Sequence, residues 1–259
     1  MDGGAFYTEI DDGVFDSSPL TAGPWSPDSQ HGGPPSALLA RQLERHRPRA
    51  GHRLARVSID LLAPVPVGRL HIGVESLRTG RRVELLQATV QAQDRTVAIA
   101  RAWRVKAAAE DFPTEAENRA ATAPHEITPR DVPVPHGMHT DGYLSAIDWS
   151  FVTGSFAEFG PARAWARPRP ALIAGEAMTP WQRVLAVVDS GSGISMSAPP
   201  DRYPAINCDV ATTLHRDPVG EWIGLDSHTL VTPGQGALAR TTVFDAAGDA
   251  GLATQTLVV

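Results

Sequence analysis

His31-Gly32-Gly33 stands directly before a segment with helical periodicity. Backbone N–H groups in a first helical turn lack intrahelical partners and lie at the positive end of the helix dipole. Glycine lets a substrate approach that backbone closely, and such a terminus can polarise a carbonyl oxygen and stabilise an oxyanion. Asp189 occupies the opposite kind of place, after the apolar turn Val187-Val188 and before Ser190-Gly191. A carboxylate at the negative end of a helix works against that helix, which marks Asp189 as a candidate functional residue. Asn207 and Asp209 alternate with Ile206, Cys208 and Val210, so a strand there points the two polar residues toward a cleft or toward a join between halves. Gln255 sits among Ala253, Thr254, Leu257 and Val258. Singly, each of these also reads as ordinary structure: a glycine turn, a solvated acid, a hydrogen-bonded strand residue.

The elements that must position them come in two similar sets. Pro66-Val67-Gly68 recurs as Pro218-Val219-Gly220, and Gly80 through Val105 lines up with Gly234 through Val259. A repeat this long is not a solenoid, which needs many short units. It reads as a duplicated module, 1–106 and 143–259, joined by an Ala-, Pro- and Thr-rich linker over 107–142. In the first copy a helix spans Ser36–Arg47, entered through Pro34-Pro35 and ended by Pro48. Strands follow at 54–63, 69–78, 81–93 and 96–106, after an earlier one near Phe6–Ile10. In the second copy Trp149–Phe159 and Ala162–Arg167 read as strands. Thr179 then caps a helix with Pro180 at its first position and Trp181, Val184, Leu185 and Val188 as its apolar stripe. Strands at 205–214, 221–231, 235–245 and 250–259 complete it. One helix wrapped by an antiparallel sheet, twice over, is an α+β architecture that resembles a double hotdog, with the two sheets meeting edge to edge.

Composition narrows the function classes. The formal charge is −6 and no block of like charges stands out, which argues against nucleic acid as a partner. The single cysteine, Cys208, excludes an internal disulfide and suits the cytoplasm, and residues 1–4 lack the basic and apolar regions of a signal peptide. No apolar run reaches the length of a membrane span. Cys208 reads as core, as do Trp103, Trp181 and Trp222. His136 and His139, a close pair in the linker, have no acid or thiol neighbours, so neither a metal nor another cofactor is expected. Ser190-Gly191-Ser192-Gly193 lacks the spacing of a nucleophile elbow and reads as a helix-ending loop.

Trp25, then Gln30-His31-Gly32-Gly33-Pro34-Pro35 running into an Ala/Leu helix, resembles the first half of the acyl-CoA thioesterase II (TesB-like) family. So do Asp189 after an apolar helix, Asn207-x-Asp209, Leu214-His215-Arg216, Gly220-Glu221-Trp222 and Ala253-Thr254-Gln255-Thr256 in the second half. The resemblance implies a double hotdog that hydrolyses acyl-CoA with an activated water. It implies that Asp189, Asn207 and Gln255 hold that water, Asn207 standing where the family has Thr. His31, Gly32, Gly33 and Asp209 are then the substrate-binding candidates. Related single-hotdog enzymes carry the His-Gly-Gly turn and the acid on one helix. Here Ala40 stands where the acid would follow His31, and Pro180 where the His would precede Asp189, nine residues away in each case (31 to 40, 180 to 189). A site taking one part from each half therefore survives once per chain. Two other readings stay open: a hotdog dehydratase using His31, and a double hotdog that binds acyl-CoA or another apolar ligand without turnover. Further association of whole chains through their sheets, as a homo-oligomer, is open too.

Overall fold

The computed structural model describes residues 4–113, 134 and 137–259. The first half carries β1 (Ala5–Asp11), β2 (Val14–Ser17), β3 (Ala22–Gly23), β4 (Ser26–Gln30) and α1 (Gly33–Arg45). These lead into β5 (His52–Leu61), β6 (Arg69–Arg78), β7 (Val83–Ala92) and β8 (Arg95–Lys106). The second half begins with α2 (Tyr143–Ala146), β9 (Ile147–Thr153), β10 (Ala162–Pro168) and β11 (Ala171–Ile173). Next come α3 (Pro180–Val188), α4 (Gly191–Ile194), β12 (Ile206–Asn207), β13 (Asp209–Leu214), β14 (Ile223–Thr232), β15 (Gly236–Asp245) and β16 (Gly248–Val258). Each half wraps its own sheet around its own helix, and the fold is a double hotdog. Most of the linker expected over 107–142 lies outside the described residues. Its far end does not run free: the His139 N–H donates to the Pro24 carbonyl at 2.9 Å.

The two sheets are one. Strands β2-β6-β7-β8-β5 continue into β13-β16-β15-β14-β10-β9 through the antiparallel pairing of β5 with β13, from Asp60 opposite Asp209 to Arg56 opposite Thr213. At the far edge β11 pairs in parallel with β1, which lies beside β2. Only Arg169 and Pro170 separate β11 from β10 at the other end of the sheet. So short a connection reaches about 11 Å at most, which forces the two ends of the sheet together and curls it around both helices.

The enclosed helices are packed against each other, and their sequences show why they fit. Ala37, Leu38, Leu39, Ala40 and Leu43 of α1 are buried, as are Trp181, Val184, Leu185, Val187 and Val188 of α3. The inward face of β8 is Ala98, Ala100, Ala102 and Arg104, and small residues there leave room for a helix. The inward face of β7 is Glu84, Leu86, Ala88, Val90 and Ala92. Trp103 is thus on the outer face and only partly buried, contrary to its reading as core. Trp222 is half-buried, with the Arg167 guanidinium 4.7 Å over its ring. Trp181 is fully packed, and its indole N–H donates to the Leu54 carbonyl at 3.1 Å, tying α3 to the sheet of the other half.

Candidate active site

The two helices run antiparallel, each N-terminus beside the other's C-terminus. A Cβ built on Gly32 would lie 2.6 Å from Asp189 Oδ2, and one on Gly33 would run into the Ala186 carbonyl oxygen. Both glycines are therefore required by the approach of the helices, not by their own dihedrals: Gly32 has φ −63° and ψ −18°. Pro34 and Pro35 have no N–H, so the first turn of α1 offers few donors. The Gly33 N–H donates to His31 Nδ1 at 3.0 Å, and the Ser36 N–H to the Gly32 carbonyl at 3.1 Å. The Gly32 N–H has no partner among the described residues.

Asp189 caps the C-terminus of α3 and is only 6% exposed. The Asn207 side-chain amide donates to Asp189 Oδ1 at 2.8 Å and to the Asp209 carbonyl at 3.2 Å. Two acceptors on one end of that amide fix it as the NH2, leaving Asn207 Oδ1 as an acceptor. Gln255 Nε2 donates to the Asp189 carbonyl at 2.9 Å and lies 3.5 Å from its Oδ1, while Gln255 Oε1 accepts the Ser192 N–H at 3.0 Å.

His31 lies against Asp189, with Nδ1 3.3 Å from Oδ2. That is ion-pair distance, but burial holds the imidazole below its ordinary pKa, against the opposing pull of the Asp189 charge. Since Nδ1 accepts from Gly33, the neutral ring carries its proton on Nε2. The contact is therefore one of position and not a salt bridge. The ring stacks on Tyr143, centroids 3.7 Å apart and planes 8° from parallel. The Tyr143 hydroxyl donates to the Ala186 carbonyl at 2.9 Å and lies 2.8 Å from Ser190 Oγ. Burial pushes Tyr143 far above its ordinary pKa, so it stays a phenol.

His31, Gly32, Asp189 and Asn207 border a cavity of about 580 Å³, a size usual for small-molecule sites. Its walls are largely apolar, with Leu61, Val65, Phe156 and Met196 among them. Trp25 and Tyr203 line it too, 49% and 55% exposed. Among the described residues no group of three or more His, Cys, Asp or Glu is placed to hold a metal ion, and no helix is long and apolar enough to cross a membrane.

Residues 21–105 match the acyl-CoA thioesterase N-terminal domain and residues 118–259 the acyl-CoA thioesterase C-terminal domain. The chain belongs to the acyl-CoA thioesterase family. Membership supports a general thioesterase-like hydrolytic function. Among curated proteins none matches. Solved structures share the fold at low identity. A provisionally assigned thioesterase of Novosphingobium aromaticivorans is 17% identical, with TM-score 0.69 over 98% of each chain. A hot dog protein of unknown function from Alicyclobacillus acidocaldarius is 15% identical, with TM-score 0.72 over 98% of this chain and 95% of that one. The acyl-CoA thioesterase II TesB2 of Mycobacterium marinum is 12% identical, with TM-score 0.64 over 97% and 94%.

The fold thus brings together His31, Gly32, Asp189, Asn207 and Gln255 from distant points of the chain. Gln255 is 2% exposed and away from the cavity, its amide fully engaged, so it fixes Asp189 from the buried side. Two expected substrate-binding residues do not face the cavity. Gly33 is buried with its N–H held by His31. Asp209 uses its carboxylate to accept the Thr256 N–H at 2.6 Å, holding the strand pairing. Cys208 is a further correction: the strand breaks between β12 and β13, and the thiol is exposed on the cavity lining instead of in the core. Arg216 is engaged by Asp245 through both guanidinium ends, at 2.6 and 2.7 Å, and serves structure. Of the histidine pair, His136 lies outside the described residues. The sequence reading missed Tyr143, Ser190 and Ser192. Tyr143 carries no local signal beyond a large aromatic at the end of a polar stretch, whereas the serines stood in the loop read as a mere helix stop.

Proposed function

We propose that this chain is an acyl-CoA thioesterase II (TesB-like) enzyme that hydrolyses acyl-CoA to a carboxylic acid and CoA by direct attack of water. One observation carries the reading. Three groups with no hydrogen-bond partner among the described residues belong to residues that border the cavity: Asp189 Oδ2 and Asn207 Oδ1, both acceptors, and the Gly32 N–H, a donor. Two acceptors can hold and orient one water, and the donor can receive a carbonyl oxygen at the positive end of α1.

Asp189 is the general base and Asn207 the orienting partner. The water oxygen bonds to the thioester carbon as its proton passes to Asp189. Charge collects on the former carbonyl oxygen, facing Gly32. The tetrahedral intermediate then expels the thiolate, breaking C–S, and the proton returns from Asp189 to sulfur. A thiol has a pKa near 8.5, so departure needs little acid help. Gln255, by pinning the Asp189 backbone and Oδ1, is a positioning residue. The apolar walls suit the acyl chain, and the half-exposed Trp25 and Tyr203 suit the carrier end.

The test is thiol release from a panel of acyl-CoAs, C2 to C18, by the parent chain and by Asp189→Asn. Release by the parent that the substitution lowers by about 10³-fold is expected, within the range for removal of a general base. Binding of acyl-CoA with no thiol release from any chain length would replace this reading with that of a ligand-binding protein.

A further inference from the structure

A second, shallow and solvent-open concavity lies between the turn after α1 and the β6–β7 turn. It is lined by Arg47, Pro48, Arg49, Thr79, Gly80, Arg81 and Glu84, none of which borders the candidate active site. The two sites sit at opposite ends of α1, a 13-residue helix about 20 Å long.

This groove is positive in a chain whose formal charge is −6. Its lining holds three arginines and one glutamate, net +2. Glu84 engages Arg49, whose guanidinium also donates to the Gly80 carbonyl at 2.7 Å, so among the described residues the free cations of the lining are Arg47 and Arg81. Glu84 takes hydrogen bonds from Arg49 at 2.9 Å and from Arg104 at 3.2 Å. Burial would raise its pKa, but those bonds hold it below the ordinary carboxylate range.

The C-terminus of a helix is normally an electronegative place. Here Arg104 covers it, donating to the carbonyls of Leu43 at 2.6 Å, His46 at 2.9 Å and Arg47 at 3.0 Å. Arg47 and Arg81, by contrast, have no carboxylate partner among the described residues. Arg47 is also held at φ +43°, in the left-handed region that a non-glycine residue seldom adopts. The neighbouring His46 responds to this field: burial first, then the charges of Arg47 and Arg104, push it below its ordinary pKa.

We infer that the groove flanked by Arg47 and Arg81 is a second binding site, for a small molecule bearing a phosphate group with two negative charges. Guanidinium forks match phosphate oxygens in pairs, and the depression is open enough to admit a phosphate-bearing molecule. The inference is independent of the proposed hydrolysis, since no residue of the groove enters that reaction.

Calorimetric titration of the whole chain at low ionic strength with two probes, pyrophosphate and adenosine 3′,5′-bisphosphate, tests it. The comparison is with the double variant Arg47→Asn and Arg81→Ser. Asn tolerates a positive φ and both positions are exposed, so thermal unfolding and thioester hydrolysis should not change. Saturable binding that the double variant weakens at least tenfold is the expected result. Equal affinity for the two probes then assigns the site to the phosphate alone, and tighter binding of the bisphosphate assigns it to a nucleotide. Binding weakened less than tenfold, or no saturable binding to the unaltered chain at millimolar probe, overturns the inference.

Discussion

Replacing Gly32 by alanine adds one methyl group at the closest approach of α1 and α3. The new carbon would lie 2.6 Å from Asp189 Oδ2 and 2.8 Å from its Cγ and Oδ1. An ordinary contact needs about 3.4 Å, so the carboxylate must retreat by about 0.8 Å. Asn207 holds Oδ1 at 2.8 Å, and a retreat of that size stretches the bond toward about 3.6 Å, where it no longer counts as a hydrogen bond. A misplacement near 1 Å of a reacting group costs about 10²-fold, or about 2.7 kcal/mol of transition-state stabilisation. The backbone makes no such objection. At φ −63° alanine is comfortable, and loss of glycine freedom in the unfolded chain contributes about 0.4–1 kcal/mol against the local crowding. Thermal unfolding should move by only a few degrees while kcat/KM for thiol release from the best acyl-CoA falls about 10²-fold. A folded Gly32→Ala chain with kcat/KM within threefold of the parent would refute the placement of the reaction between Gly32 and Asp189.

Two further outcomes rest on the same geometry. Asn207→Ala removes both the 2.8 Å bond to Asp189 and the acceptor on the cavity, and should lower kcat about 10²-fold with KM little changed, whereas Asn207→Thr keeps an acceptor and should lose less. Steady-state kinetics of the two variants decide this, and equal losses would count against a water-orienting role. His31 gives a pH signature in stability. Its folded pKa is depressed, so below about pH 6.5 the unfolded chain binds the extra proton first, and stability falls as pH drops. Denaturant unfolding at pH 7.5 and 5.5 should show a smaller acid loss for His31→Gln than for the parent. An identical loss would mean that the buried imidazole is protonated without cost.

The two long helices, α1 and α3, were legible because their signals are local, whereas α4 forms over Gly191–Ile194, where the glycines read as a helix-ending loop. Thr179 and Pro180 form the N-terminus of α3 as read, with the Thr179 hydroxyl accepting the Gln182 N–H at 3.2 Å. The start of α1 falls three residues earlier than read, because the Gly33-Pro34-Pro35 turn is itself helical. The strands of the repeat were visible as alternation, but alternation does not say which face is inside. On β8 the bulkier set, Ile99 and Trp103, faces outward and the alanines face the helices, since the space is set by the helix and not by hydrophobicity alone. Strand β11 was invisible: its pairing with β1 joins residues more than 160 apart and has no counterpart in local pattern. The same limit applies within the site. The types of Asp189, Asn207 and Gln255 could be singled out, but the engagement of Gly33 by His31 and of Gln255 by Ser192 depends on atoms that meet only after folding.

The duplication explains why the proposed reaction has one end where two equivalent modules would give two. The counterpart of the Gly32 end is the N-terminus of α3, at Thr179-Pro180, facing the last turns of α1. Ala40 supplies no acid there. Four residues on, Glu44 turns its carboxylate onto that terminus, accepting the Thr179 hydroxyl at 2.9 Å and the Gln182 amide at 2.9 Å. Burial raises the Glu44 pKa despite those bonds. A helix N-terminus is a natural anion site, and here the Thr179–Gln182 capping box takes the backbone donors while Glu44 holds the capping side chains. At Gly32 the Asp189 carboxylate packs close but accepts no backbone N–H: His31 takes the Gly33 N–H, and the Gly32 N–H has no partner among the described residues. The asymmetry is therefore built from one choice at each helix start. At α3 the capping box and Glu44 occupy the end, so it is structural. At α1 the Asp189 carboxylate leaves the Gly32 N–H unpaired, and in the proposed reaction the developing charge of a thioester carbonyl under attack takes that donor.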